Sequence, residues 1–261
     1  MGESPRSGGG WTRRAVLARI GAALGAAMAP VPARGYGLRS YFVWAQLRYP
    51  GAWDPNPRAA ERFLRELARR TSVEPAGRRR VIDPADPALF ELPFLYVAGR
   101  FGPPELGPAG EKALARYLEH GGFVLFDDAS GVADSGFARG VADLLSRVLP
   151  GRQLRPLPAD HTVYQSFYLL SGAPGRVLVK PFLYGVDRED LTPAVLVVND
   201  LGGAWDADPV AGFTNPCVPG GERQRELAFR LGVNLALYAL TGNYKKDQVH
   251  IPFILRRRRR P

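Results

Sequence analysis

Acidic and amide side chains directly follow two apolar runs of the sequence. Asp127 and Asp128 come straight after the run Phe123–Phe126. Asn199 and Asp200 follow a second apolar run in the same way. Paired carboxylates can serve as general acid and base, bind a polar ligand, or cap the helix or turn that comes next. Adjacent residues at a strand end point in different directions, so the two acids of a pair need not face one ligand.

Trp53 and Asp54 follow the first predicted strand, Arg100 follows another, and Trp205 comes shortly after Asn199 and Asp200. Trp53 and Trp205 could stack on a flat ligand such as a sugar, or simply pack their loops. Arg100 could hold an anion or form a surface ion pair. Ligands of open parallel sheets bind beyond the carboxyl ends of the strands, so these side chains are predicted to share one rim. The candidate ligand-binding residues are Trp53, Asp54, Arg100, Asp127, Asp128, Asn199, Asp200 and Trp205.

Nucleophilic and metal chemistry find little support in the sequence. A nucleophile elbow needs Gly-x-Ser-x-Gly or a cysteine equivalent after a strand, whereas Phe126 is followed by Asp-Asp-Ala-Ser-Gly. The single cysteine, Cys217, lies in a loop rich in proline and glycine, and the three histidines lack metal-ligand spacing. The aspartates could bind Mg²⁺ or Ca²⁺, but no spacing selects them. We therefore predict no catalytic residue, no metal and no cofactor.

Strand and helix patterns alternate along the chain. Asn56 and Pro57 resemble a helix cap and a first-turn proline. Apolar residues at helical spacing predict four helices, of which the last ends near Gly242. Short apolar runs predict strands between them, and loops with short strands are expected between Pro150 and Pro193. The predicted strands are Tyr41–Leu47, Val81–Ile82, Phe94–Ala98, Phe123–Phe126 and Ala194–Val198. This order predicts an α/β fold with a mostly parallel sheet and helices on both faces.

The basic charge is concentrated at the two ends of the chain. The formal net charge is +10, of which residues 1–33 carry +3, residues 245–261 carry +6 and residues 34–244 only +1. A nucleic-acid-binding domain usually spreads its basic residues over a folded face. Nucleic acid is therefore not the predicted partner.

The first 33 residues have the features of an export signal. Arg13 and Arg14 form a twin-arginine pattern, a small apolar run follows, and Val31–Ala33 is a small-x-small cleavage site. An uncleaved anchor is the alternative. These features predict a twin-arginine signal at 1–33, a single domain at 34–244 and a basic tail at 245–261.

The tail places the apolar segment Val249–Leu255 before five arginines. It could contact anionic lipid at a membrane surface, where each basic residue contributes about 1 kcal/mol. The other interpretation is that the apolar segment packs on the domain or on a partner and leaves the arginines in solvent.

Seven segments resemble a bacterial family of unknown function within the class I glutamine amidotransferase-like superfamily. The resemblance covers the chain from about Arg39 onward and implies a flavodoxin-like three-layer sandwich. The segments are LRY at 47–49, WD at 53–54, PFLY at 93–96, YLEHGGFVLFDD at 117–128, FYLL at 167–170, NDLGGAW at 199–205 and FRLGVNLALYALTG at 229–242.

The resemblance also implies what the chain lacks and what it could join. Catalytic amidotransferases carry a cysteine where this chain has Asp127 or Asp128, so amidotransferase activity is not expected. Relatives are often exported or membrane-associated, and some accompany ATPase and von Willebrand A-type partners. This implies a periplasmic or envelope-associated protein with an envelope assembly partner.

Two functions follow from these observations. The first is an exported, non-catalytic binding or assembly module that engages a ligand or partner at the carboxyl ends of the strands. The second is a carboxylate-dependent hydrolase that acts on an envelope polymer. Two carboxyl groups facing each other across an open cleft would favour the hydrolase, whereas carboxylates that cap backbone amides would count against it.

Overall fold

Seven strands form the central sheet of the computed structural model, which describes residues 41–189 and 191–257 and the side chains through residue 242. The strand order is β4-β2-β5-β6-β9-β8-β7. The strands from β4 to β9 run parallel, whereas β8 and β7 are antiparallel to their neighbours. The prediction of an α/β fold with a mostly parallel sheet is confirmed.

The strands of the central sheet are β2 (Ala45–Leu47), β4 (Arg80–Ile82), β5 (Phe94–Gly99), β6 (Phe123–Asp128), β7 (Arg155–Pro156), β8 (Tyr184–Arg188) and β9 (Leu191–Val197). Two small sheets pair β1 (Tyr41–Phe42) with β3 (Glu74–Pro75), and β10 (Ala207–Asp208) with β11 (Gly212–Phe213). The helices are α1 (Ala59–Arg70), α2 (Gly107–Glu119), α3 (Gly136–Val148), α4 (Leu201–Trp205) and α5 (Gly221–Arg257).

Helices cover the sheet on both faces because the inner strands are apolar along both. Phe94 and Tyr96 of β5 belong to a core that also contains buried residues of α1, α4 and α5. Leu95 and Val97 point the other way, into a second core with buried residues of α2 and α3. This alternation is the two-residue period of a strand, and it explains why the central strands are continuous apolar runs.

Three local predictions are wrong. The predicted strand Tyr41–Leu47 is two strands in different sheets. Helix α1 begins at Ala59, after Arg58, so Asn56 does not cap it. Helix α5 does not end near Gly242 but continues to Arg257. The antiparallel edge has a simple cause, since the two-residue connection between β8 and β9 can join only antiparallel strands.

The predicted signal at 1–33 lies outside the described residues. The same is true of the side chains of the basic tail at 245–261, of which only the helical backbone to Arg257 is described. None of the helices described here is both long enough and apolar enough to pass through a lipid bilayer.

Candidate functional site

The predicted site residues lie at or after the carboxyl ends of four neighbouring strands, β2, β5, β6 and β9. Because these strands are adjacent and parallel, their carboxyl ends meet at one edge of the sheet. Gly99, which precedes Arg100, is paired in register with Asp128. We call the loops that follow these four strands, together with the segments they hold, the carboxyl rim.

Asp127 lies completely inside the protein and binds the start of α4. Its Oδ1 accepts the N–H of Leu201 at 2.9 Å, and its Oδ2 accepts the N–H of Gly202 at 2.6 Å. The Tyr96 hydroxyl also donates to Oδ2, at 2.6 Å. Burial, together with the negative charge of Asp200, raises the pKa of Asp127 to about 7. Both carboxylate oxygens are therefore used inside the protein.

Asp200, which follows β9 and directly precedes α4, has the same structural role. Its φ of 53° lies in the left-handed region, and its Oδ1 accepts the N–H of Gly203 at 2.9 Å as the cap of α4. The same Oδ1 accepts Asn56 Nδ2 at 2.9 Å, and the Arg176 guanidinium donates to Oδ2. Burial raises the pKa of Asp200, against the lowering effect of Arg176. Asp200 thus ties α4 to two distant loops.

Asp128 points to the other side of the sheet from Asp127 and organises the start of α3. Its Oδ1 accepts the N–H of Ser130 at 2.9 Å, and its Oδ2 accepts the Ser135 hydroxyl at 2.5 Å. Ser135 in turn caps α3 by accepting the N–H of Ala138 at 2.9 Å. The carboxylate is fully buried. Asp128 therefore stabilises the loop between β6 and α3 and is not exposed to a ligand in this structure.

Asn199 holds the segment 173–180 through four hydrogen bonds, two accepted by its amide oxygen and two donated by its amide nitrogen. Its Oδ1 accepts the N–H groups of Val179 and Lys180 at 2.8 and 3.0 Å. Its Nδ2 donates to the carbonyls of Ala173 and Lys180 at 2.5 and 2.6 Å. The side chain is buried, so it has no free group for a ligand.

Asp54 and Trp53 form a basic–acidic–aromatic cluster with Arg79. The Arg79 guanidinium binds both oxygens of Asp54, at 2.5 and 2.7 Å, and lies 5.7 Å from the centre of the Trp53 ring. Gln46 adds a donor to Asp54 at 3.1 Å. These side chains are only partly exposed, and their mutual contacts hold the loop after β2 in place.

Trp205 lies in the core and not in the crevice. The side chain is fully buried, and its ring centre is 4.7 Å from that of Phe63. It cannot stack on a ligand in this structure. The alternative that it packs its own segment fits the geometry.

Arg100 differs from the other charged candidates because none of the described residues pairs with it. It makes no hydrogen bond and no ion pair with any residue that the structure describes, and its Nε is buried without an acceptor. It lines a cleft of about 340 Å³, which we call the Arg100 cleft, with Phe101 beside it at 74% exposure. Other residues of this cleft are Tyr49–Ala52, Gly102, Pro103 and Glu105.

The loop that carries Arg100 rests on the first turns of α3. A side-chain carbon at Gly136 would collide with the Phe101 carbonyl, and one at Gly140 would collide with Pro103. Glycine at both positions permits this close approach. Since Asp128 fastens the start of α3, it also supports the Arg100 loop indirectly.

The carboxylates at the strand ends do not form an open catalytic pair. Cys217 is buried, its pKa is raised by that burial, and it lies in the loop before α5 and not at a strand-to-helix elbow. The Nε2 atom of His161 is hydrogen-bonded to the Thr192 hydroxyl, at 2.9 Å. Among residues 41–189 and 191–242, whose side chains the structure describes, no three His, Cys, Asp or Glu side chains come together as a possible metal site.

Sequence reasoning missed the partners of the acids. Tyr96, Asn56 and Arg176 contact Asp127 or Asp200 from other segments, and Asn56 is 144 positions away from Asp200 in the sequence. Tyr96 sits on a predicted buried strand, where an unmatched hydroxyl is a signal that a buried acceptor is near. No comparable local signal marks Asn56 or Arg176.

Comparison with known proteins places the chain in a family. Residues 43–240 match the family described as Domain of unknown function (DUF4159), which covers most of the chain. The curated proteins include none that matches it. The matched range contains every one of the candidate residues at the carboxyl rim. The chain therefore belongs to the family DUF4159.

Proposed function

We propose that the protein is an exported, non-catalytic binding or assembly module of the cell envelope. In this proposal a ligand or partner engages the exposed loops of the carboxyl rim. The buried acids beneath them do not touch it and serve to hold those loops in place.

One observation carries the proposal. Both carboxylate oxygens of Asp127, Asp128 and Asp200 accept hydrogen bonds from the protein, and these residues have at most 1% exposure, whereas Phe101 is 74% exposed. Arg100, next to it, has no partner among the described residues. An exposed aromatic side chain beside an unpaired guanidinium is typical of a contact surface, because both are enriched in interface centres.

The hydrolase alternative receives no comparable support. A general acid and base must reach a substrate and its attacking water. Asp127 and Asp200 bind backbone N–H groups of α4, and Asp128 binds Ser130 and Ser135. Carboxylates used in this way count against paired acid–base catalysis at the rim.

The wider assignment is part of the same proposal. We propose a flavodoxin-like three-layer sandwich of the class I glutamine amidotransferase-like superfamily, in which an aspartate stands where catalytic members have cysteine. Two cores on opposite faces of the parallel sheet support this. The proposed localisation, periplasmic or envelope-associated by the twin-arginine route, rests on Arg13 and Arg14 and on the apolar run that follows.

Cosedimentation of the purified chain with isolated cell envelopes tests the proposed function. Phe101→Glu should reduce the bound fraction by about tenfold, because a charge replaces an exposed aromatic anchor. Phe90→Glu is the matched control, since Phe90 is also exposed, at 45%, but lies before β5 at the opposite end of the sheet. Equal binding by wild type and both variants, or loss only in Phe90→Glu, would contradict the proposal.

A further inference from the structure

A second cleft lies on the α3 side of the sheet, between α3 and the edge formed by β9 and β8. Its volume is about 220 Å³, and we call it the Lys180 cleft. Its lining combines aliphatic side chains, which we call the floor, with polar side chains, which we call the mouth. The floor residues are Ala138, Ala142, Leu154, Leu196 and Val198, and the mouth residues are Asp134, Arg139, Lys180 and Tyr184.

Two cations at the mouth, Lys180 and Arg139, have no carboxylate partner among the side chains that the structure describes. The Lys180 ammonium and the Tyr184 hydroxyl make no hydrogen bond or ion pair within the part of the chain whose side chains are described. Arg139 donates only to the backbone carbonyl of Asp134, at 2.6 Å. With the Asp134 carboxylate included, the mouth carries a net charge of +1. An anion bound there would meet cationic donors that no described carboxylate pairs with.

Asn199 and Asp128, at the strand ends, hold the backbone segments that carry the two cations. Asn199 clamps the backbone of Lys180 through its N–H and its carbonyl, at 3.0 and 2.6 Å. Asp128 binds Ser135, the cap of the helix that carries Arg139. Two buried polar side chains thus fix the backbone positions from which the two cationic side chains extend. Such preorganisation lowers the ordering cost of binding.

We propose that the Lys180 cleft binds a small amphipathic anion, with its oxyanion head at Lys180 and Arg139 and its short hydrocarbon body on the aliphatic floor. The volume is below that of sites for drug-sized ligands, which begin at about 300 Å³. It suits a short acyl chain. The head could belong to a carboxylate or to a phosphate ester, which share this charge-assisted chemistry. The inference does not depend on the partner surface around Phe101.

Isothermal titration calorimetry on the purified chain tests the proposal with four probes. Octanoate and octyl phosphate carry both an oxyanion and a hydrocarbon chain, octyl glucoside lacks the charge, and inorganic phosphate lacks the chain. We expect one site for at least one of the first two probes, about tenfold or more tighter than either control. Preference between octanoate and octyl phosphate identifies the head group. Binding by neither, or equal binding by octyl glucoside or inorganic phosphate, would overturn the proposal.

Variants separate this site from general adhesion. Lys180→Met should weaken the favoured probe about tenfold because it removes the positive charge. Lys180→Arg should keep most of the affinity, because arginine retains that charge. Ala142→Phe should block the floor while leaving the circular dichroism and melting temperature near those of wild type. Arg65→Met is the matched control, because Arg65 is an exposed cation on α1, which covers the opposite face. Unchanged binding in both cleft variants, or equal loss in Arg65→Met, would refute the site.

Discussion

The stability that Asp127 contributes to the folded protein should fall as the pH rises from about 4 to about 7. Its pKa is raised from 3.8 to about 7 by burial and by the charge of Asp200. In the unfolded chain the carboxyl releases its proton near its ordinary pKa. The folded state therefore binds more protons between about pH 4 and about pH 7, and stability falls as the pH rises through this window.

The size of the effect follows from the difference between the two pKa values. A pKa raised from 3.8 to about 7 corresponds to about 4 kcal/mol of stability. This contribution is fully present below about pH 4 and is lost once the pH passes about 7. Asp127→Asn cannot titrate, so the difference in unfolding free energy between wild type and variant should shrink by this order over the window.

Urea unfolding of both proteins between about pH 4 and about pH 8 measures the difference over the whole window. Asp83→Asn is the control, because Arg48 lowers the pKa of the exposed Asp83 and places its titration below the window. Its difference from wild type should stay flat. A flat or opposite slope for Asp127→Asn would mean that Asp127 does not carry a buried, proton-binding carboxylate, and would refute the reasoning.

Three further predictions concern the carboxyl rim and export. Gly140→Ala should cost about 1–3 kcal/mol in urea unfolding because the added carbon collides with Pro103, whereas Gly102→Ala, with open space around it, should cost little. Asn199→Ala should lower the free energy of unfolding by about 2–4 kcal/mol because it leaves buried backbone groups unpaired. Asn215→Ala, which loses one hydrogen bond of 3.3 Å, should lower it less. Equal losses would contradict the role of Asn199 in holding the segment 173–180. Replacing Arg13 and Arg14 by lysine should retain the precursor in the cytoplasm on cell fractionation, and unchanged export would contradict the twin-arginine signal.

The sequence predicts the sheet well because each inner strand is buried on both faces. A short, fully apolar run such as Phe123–Phe126 has the length and composition of a strand that is buried on both faces of a parallel sheet. Prolines and glycines mark the loops. Helix α2, for example, begins at Gly107, next to Pro108, and proline is favoured in the first turn of a helix. Parallel neighbours then bring the ends of β5, β6 and β9 together without any further information.

The roles of the rim residues could not be predicted from local pattern. Whether Asp200 faces solvent or the core depends on Arg176 and Asn56, which reach it from distant loops. Asn56 looks like a helix cap in sequence, but its side chain binds Asp200 instead. Trp205 follows a strand end as a ligand-stacking residue would, yet the packing of α4 on α1 and α5 buries it. Long-range packing decided each of these outcomes.

Site-specific photo-crosslinking in living cells tests the central claim most directly. A benzophenone side chain in place of Phe101 lies on the carboxyl rim, and the same group in place of Phe90 lies at the amino end of the sheet. We predict a discrete adduct with an envelope component from position 101 and none from position 90. Adducts from position 90 alone, equal adducts from both, or none from position 101 would contradict the claim that the loops held by the buried acids form the binding surface.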